Sequence, residues 1–267
     1  MCGSINACRL FSIMPTVDEN YSTWNESYEW SDRGEEWSQS WGGSEAQWFW
    51  TILPRIHRFL PCDHILEIAP GFGRWTYYLL SYGNRYSGID LSDKCIKVCQ
   101  QRFSGVGTAQ FYTNDGRSFP MIEANSVDYI FSFDSLVHCE EEILHAYLAE
   151  CHRILKTGGG AFIHHSSLKD VSTLAKAAPE VTCHWRATSV SSKGVKDECE
   201  RLGFRCLSQE RINWGCNELI DCFTTLQKVN SSGSGEFHLL ENSRFMLEVA
   251  ATREKAPAYS RARLFSK

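Results

Sequence analysis

The chain has 267 residues, 43% of them hydrophobic and 22% charged, with a formal net charge of −5. That length supports one large domain with a sizeable core, and the acidic balance argues against a nucleic-acid partner, which needs a basic field. No uncharged apolar run reaches the roughly 20 residues that cross a bilayer, so membrane insertion is not expected, and residues 1–15 lack a charged-then-apolar leader pattern. The twelve cysteines are scattered and include no C-x-x-C pair. That favours reduced packing thiols in a cytoplasmic protein over a disulfide scaffold or a zinc ribbon. Six of the nine tryptophans fall within the first 50 residues.

Residues 1–43 read as an N-terminal extension. Ser44-Glu45-Ala46-Gln47 has the S-x-x-Q form of a capping box, and a helix is expected from there to Leu60, kinked at Pro54 and stopped by Pro61. From His64 a regular alternation begins. Strands are expected at 64–69, 86–90, 109–113, 127–133 and 160–165, with helices at about 73–82, 92–103 and 140–155. Strands alternating with helices at this spacing indicate an α/β fold, doubly wound, with a mostly parallel sheet. Residues 166–190 form a long insertion, and a helix is expected over 192–202 with Gly203 as its C-terminal cap. Two last strands, 204–212 and 219–226, are joined by a loop too short for a parallel crossover, so they should be antiparallel. Residues 229–236 read as a flexible linker, and one further helix is expected at about 241–253.

The central motif is Glu67-Ile-Ala69-Pro-Gly71-Phe-Gly73-Arg74, between the first strand and a helix. Gly71 and Gly73 allow a tight turn and close approach to a ligand where a doubly wound sheet binds one. A dinucleotide fingerprint would need glycine at position 76, where Thr76 stands, and a P-loop would need Gly-Lys-Ser/Thr. Asp90 ends the second strand and can accept both hydroxyls of a ribose. Asn114-Asp115-Gly116 follows the third strand, where a carboxylate can accept from an adenine amino group.

With these residues the sequence resembles the class I S-adenosylmethionine-dependent methyltransferases over about residues 44–228. The carrying stretches are Leu66–Gly73, Gly88-Ile-Asp90-Leu91-Ser92, Asn114–Gly116, Val127–Asp134 and Ile154–Gly159; Ala69 and Thr157 replace a usual glycine and proline. The resemblance implies a seven-stranded sheet whose last strand is antiparallel. It also implies S-adenosylmethionine as cofactor, with Glu67, Ala69, Gly71 and Gly73 around the methionine part and Asp90 and Leu91 at the ribose. Asp115 and Gly116 would read the adenine, and Phe133 and Asp134 would flank the sulfonium.

Methyl transfer from a sulfonium needs alignment and a dry site, and a hydroxyl acceptor is helped by a general base. His138 and His165 are the candidate catalytic bases. Neighbouring strand residues face opposite ways, so one of His164 and His165 should point into the cleft, and position 165 lies nearer the strand end. Asp134, His138, His164 and His165 could alternatively hold a divalent metal, but no spacing motif supports one and none is expected. In the insertion, Cys183-His184-Trp185-Arg186 offers an Arg beside a Trp as a substrate clamp, and Trp214 in the 213–218 loop is a third substrate candidate. Trp41-Gly42-Gly43 has the aromatic wall and hinge of a lid over the cofactor. The expected partner is a small-molecule or glycan acceptor methylated on oxygen, with no nucleic acid. N-methylation, protein methylation and a non-catalytic cofactor-binding module are the other readings.

Overall fold

The computed structural model describes residues 16–172, 181, 185–230 and 235–260. Residues 1–15, Cys183 and His184, most of the serine-glycine linker and the basic end at 261–267 lie outside these. The helices are α1 (Val17–Tyr21), α2 (Ser44–Gln47), α3 (Leu53–Ile56), α4 (Thr76–Leu79), α5 (Asp93–Arg102), α6 (Glu141–Ile154), α7 (Ser192–Leu202) and α8 (Phe245–Tyr259). The strands are β1 (Cys62–Ile68), β2 (Gly83–Asp90), β3 (Ala109–Thr113), β4 (Val127–Ser132), β5 (Leu155–Ser166), β6 (Phe204–Ile212), β7 (Asp221–Lys228) and β8 (His238–Asn242). They form one sheet in the order β3-β2-β1-β4-β5-β7-β6-β8. The strands β3, β2, β1, β4 and β5 are parallel, and β7 runs antiparallel between β5 and β6.

The chain leaves β1 toward β2 on one side, and β4 flanks it on the other. The strand order therefore reverses between β1 and β4, which opens a crevice at their C-terminal ends. β1 and β4 are buried on both faces over most of their length, so their apolar residues do not alternate with polar ones in a regular period of two. One core layer, with Leu66, Ile130 and Leu148, lies under α6 and α7. The other, with Trp48, Phe131, Phe162 and Phe245, packs the 44–59 helical run and α8 against the opposite face.

Local chemistry decides several boundaries. Ser92 caps α5 by accepting from the Cys95 N–H, and Gly203 at φ 96° ends α7. The expected capping box at Ser44 does not form. Gly43 is the N-cap, the Ser44 hydroxyl meets Tyr78, and the Gln47 amide is buried without a hydrogen-bond partner. The 44–59 run instead passes through a π turn at Trp48–Ile52 just before Pro54, which sits in the first turn of α3. The sheet has eight strands, one more than expected. β8 pairs in parallel with β6, and α8 buries Phe245 and Val249 in the second core layer, so residues 238–259 belong to the sheet's own packing.

Glu67 sits near the C-terminal end of β1, buried, and accepts hydrogen bonds from the hydroxyls of Thr76 and Tyr86. Burial pushes its carboxyl up to about 7, against the pull of those two bonds. A carboxyl raised by folding gives its full stabilisation below the unfolded pKa and loses it as pH rises through the folded one. The unfolding free energy should therefore drop by about 3 kcal/mol between about pH 4 and 8 on account of this group. Urea titrations across that range should show Glu67→Gln with a flatter profile than the parent; equal slopes would assign the pH dependence elsewhere.

Candidate functional site

A cavity of about 800 Å³ opens at the β1/β4 crevice. One wall is the turn after β1. Ala69 (φ 56°) and Gly71 (φ 57°) both adopt left-handed backbone there, which makes the turn that lays Ala69-Pro70-Gly71 along the cavity. The Asp90 carboxylate, at the end of β2, accepts from the N–H groups of Gly71 and Ser92, and burial pushes it up to about 6 against those bonds. Leu91 and Gly116 line the same end.

Three sequence expectations for this cradle change. Glu67 lies beneath the turn and does not line the cavity, because its carboxylate is engaged with Tyr86 and Thr76 on the far side. Gly73 also faces away. A Cβ there would come 2.5 Å from the Phe103 ring, so this glycine lets the turn pack on α5. The Asp115 carboxylate is exposed and accepts from Arg117 N–H, Ser118 N–H and the Ser118 hydroxyl, closing its own turn, so Gly116 alone of that pair reaches the cavity.

The far wall is a network of buried charge. Phe133 and Asp134 follow β4, and Asp134 sits at φ 59°. Its backbone N–H donates to His164 Nδ1 at 3.0 Å, so His164 carries its ring proton on Nε2 and presents it to Asp221 at 3.1 Å. Arg186 binds Asp221 at 2.8 Å and reaches Asp134 at 3.8 Å, while Arg74 meets Asp134 from the other side at 3.5 Å. Burial works to raise the Asp221 carboxyl, yet Arg186 and His164 hold it well below the usual carboxylate range. Neither Arg74 nor Asp221 was a sequence candidate. The only signals were an arginine directly after the glycine turn and an acid opening a buried strand.

The two candidate bases separate. His138 lines the cavity, and its Nδ1 donates to the Trp185 carbonyl at 2.8 Å. Nε2 is left as the lone-pair nitrogen, without a hydrogen-bond partner among the described residues. Burial, helped by Arg186, lowers His138 to about 4. His165 does not line the cavity. Its Nδ1 meets the Ser166 carbonyl and its Nε2 the Thr224 hydroxyl, because strand alternation turns His164, not His165, toward Phe133 and Trp214 of the cavity wall. The same alternation prevents Asp134, His138, His164 and His165 from converging as a ligand set. No group of three or more His, Cys, Asp or Glu residues suited to a metal occurs among the described residues.

The N-terminal segment roofs the cavity. Val17 packs at Gly116, the Asn20 amide donates to the His138 carbonyl, and Asn25 accepts from the Ser92 hydroxyl and the Lys94 N–H. Trp30 stacks on Phe72 at 4.5 Å and covers Gly71. Trp41 does line the cavity, but as a fixed deep wall: its Nε1 donates to the Thr51 hydroxyl and its ring packs on Trp214 and Phe245. The residue that lies on the glycine turn is thus Trp30. Trp185 (φ 50°), Arg186 and Trp214 all reach the cavity. Of the five non-glycine residues with positive φ among the described ones, three (Ala69, Asp134 and Trp185) line this one cavity, and such backbone strain concentrates at functional sites.

The fit to S-adenosylmethionine rests on this cradle: a left-handed glycine turn, the Asp90 carboxylate at the end of β2, and in the lining Trp75, whose buried Nε1 has no hydrogen-bond partner among the described residues. The family profile described as a methyltransferase domain matches residues 65–159. Among curated proteins, phosphoethanolamine N-methyltransferase 1 of Zea mays is 28% identical over 211 residues, 72% of this chain and 41% of that protein. Phosphoethanolamine N-methyltransferase 1 of Caenorhabditis elegans is 26% identical over 62% of this chain and 35% of its own. The chain thus spans less than half the length of these relatives. Among solved structures, a Pyrococcus horikoshii protein superposes with a TM-score of 0.55 at 19% identity, covering 78% of this chain and 96% of that one. An S-adenosylmethionine-dependent methyltransferase of Clostridium acetobutylicum gives 0.54 at 13% identity, over 72% of this chain and 92% of its own. Residues 65–159 thus form a methyltransferase domain, and the sheet order and the glycine turn facing Asp90 are those expected of an S-adenosylmethionine-dependent methyltransferase.

Proposed function

We propose that the chain methylates a hydroxyl of a small-molecule or glycan acceptor. The observation that carries this reading is His138, a neutral imidazole with its Nε2 lone pair in the same cavity as the Asp90 and Gly71 cradle. S-adenosylmethionine supplies the methyl group: the acceptor O–CH₃ bond forms as the S–CH₃ bond breaks, and the sulfonium leaves as a neutral thioether. Asp90, Gly71 and Gly116 hold the donor, Trp30 and the rest of the roof exclude water, and His138 Nε2 takes the acceptor's proton and releases it to solvent.

Methylation of an amine is the second reading, favoured by the N-methyltransferase names of the curated relatives. Transfer to a small molecule suits both, since the acceptor must enter a roofed cavity. No helix among the described residues is long and apolar enough to cross a membrane.

Calorimetric titration with S-adenosylhomocysteine should show one site, and Asp90→Ala should weaken it by roughly a hundredfold, the scale of two charge-assisted hydrogen bonds lost. Undiminished affinity would remove Asp90 from the donor site. His138→Ala should lower kcat by roughly 10² or more with S-adenosylhomocysteine affinity retained. Because burial keeps the imidazole unprotonated down to about pH 4, the parent's kcat should stay level from neutral pH to about 5 if this group alone sets the acid limb. A parent-like kcat in His138→Ala would eliminate the base.

A further inference from the structure

We infer that the acceptor bound beside the donor is an uncharged sugar ring, held on tryptophan faces, and not the phosphorylated amine named for the curated relatives. This deepens the hydroxyl-acceptor reading above and rests on it. The inference comes from the charge balance of the cavity together with its aromatic walls.

Among the described residues lining the cavity, the ionised side chains are Glu36, Asp90, Asp134, Arg74 and Arg186. Three acids face two guanidinium groups, so there is no surplus positive charge. Both guanidinium groups are committed: Arg74 lies 3.5 Å from Asp134, and Arg186 lies 2.8 Å from Asp221 and 3.8 Å from Asp134. A phosphomonoester carries up to two negative charges, and drawing it from water without free cations or charged donors is strongly unfavourable. Among the described residues the site therefore lacks what a phosphate would need.

A cationic acceptor finds no uncommitted carboxylate among the described residues of the lining. Its natural partner would be a carboxylate, but Asp134 already has a guanidinium on either side. The other acid at the roof, Glu36, accepts from the Tyr28 hydroxyl and from the N–H groups of Asp32 and Gly34, so its oxygens are engaged within the roof. Asp90 is likewise taken by Gly71 and Ser92 and lies at the donor end.

A neutral polyhydroxylated ring suits what remains. Trp24, Trp37, Trp41, Trp185 and Trp214 all line the cavity, which gathers several indole rings in one enclosure. The C–H face of a pyranose can lie on an indole with little desolvation cost, while its hydroxyl groups project at the rim. There the Ser40 hydroxyl, in the same lining, offers a donor and an acceptor. A ring hydroxyl placed at His138 Nε2 loses its proton there as its oxygen gains the methyl and the donor leaves as a thioether.

The test uses the protein with S-adenosylhomocysteine bound, and saturation-transfer NMR with the methyl glycosides of glucose, mannose, galactose and rhamnose, beside phosphoethanolamine and ethanolamine. Radiolabelled methyl transfer from S-adenosylmethionine to the same six compounds follows. The inference expects at least one glycoside to bind and take the label, and both amines to do neither. Trp185→Ala, at a position 37% exposed and so tolerant of truncation, should weaken glycoside binding about tenfold with S-adenosylhomocysteine affinity unchanged. Binding or labelling of phosphoethanolamine or ethanolamine overturns the inference, as does the absence of glycoside binding in protein that binds S-adenosylhomocysteine. An unchanged glycoside affinity in Trp185→Ala overturns the aromatic platform. Failure of S-adenosylhomocysteine itself to bind is a different result, which would sink the methyltransferase reading beneath.

Discussion

Asp134 follows β4 with a left-handed backbone, and the contacts that hold it there organise one whole wall of the cavity. Its N–H donates to His164, and its carboxylate lies between Arg74 from the glycine turn and Arg186 from the insertion. Asp221 underpins both His164 and Arg186. Five segments far apart in sequence are thereby fixed to each other by buried polar contacts. Charges this deeply buried are tolerated only when every partner is present. The network therefore demands that the turn after β1, the end of β4, the end of β5, the start of β7 and the insertion all be in place together.

The antiparallel β7 makes this possible. A parallel strand would bring its C-terminal end to the crevice; β7 brings its first residue, Asp221, opposite Ser166 at the end of β5. The strand reversal that distinguishes the end of this sheet thus delivers an acid to the wall of the site. The roof works on the other side by different means. It uses few charges and is held by stacking of Trp30 on Phe72, by Asn25 on the start of α5 and by Asn20 on the His138 carbonyl.

Much of the fold was legible because the alternation of buried strands and helices is written in local periodicity. So were the glycine turn and Asp90, since left-handed backbone and a strand-end carboxylate each need particular residues at particular places. His165 was misplaced for a geometric reason. The choice between two adjacent histidines depends on strand register, and β5 begins at Leu155 and puts His164 toward Phe133. Asp115 was misplaced because an aspartate after a strand serves equally well to close a turn, and here Arg117 and Ser118 claim it. The capping box at Ser44 lost to burial, with Tyr78 competing for the hydroxyl.

The sequence by itself determined the α/β class, the glycine turn after β1 and the tryptophan-rich start, because all of these rest on composition or on neighbours within a few residues. Only the tertiary structure decided which base faces the cavity, that Trp30 and not Trp41 lies on the glycine turn, and that Arg74 and Asp221 complete a charge network around Asp134. It also decided that the tail adds an eighth strand. Those outcomes depend on contacts between residues 30 to more than 100 positions apart, such as Asp134 with His164 and Asn20 with His138. No local pattern records such contacts, since their energy appears only when the strands are in register and the groups leave water together.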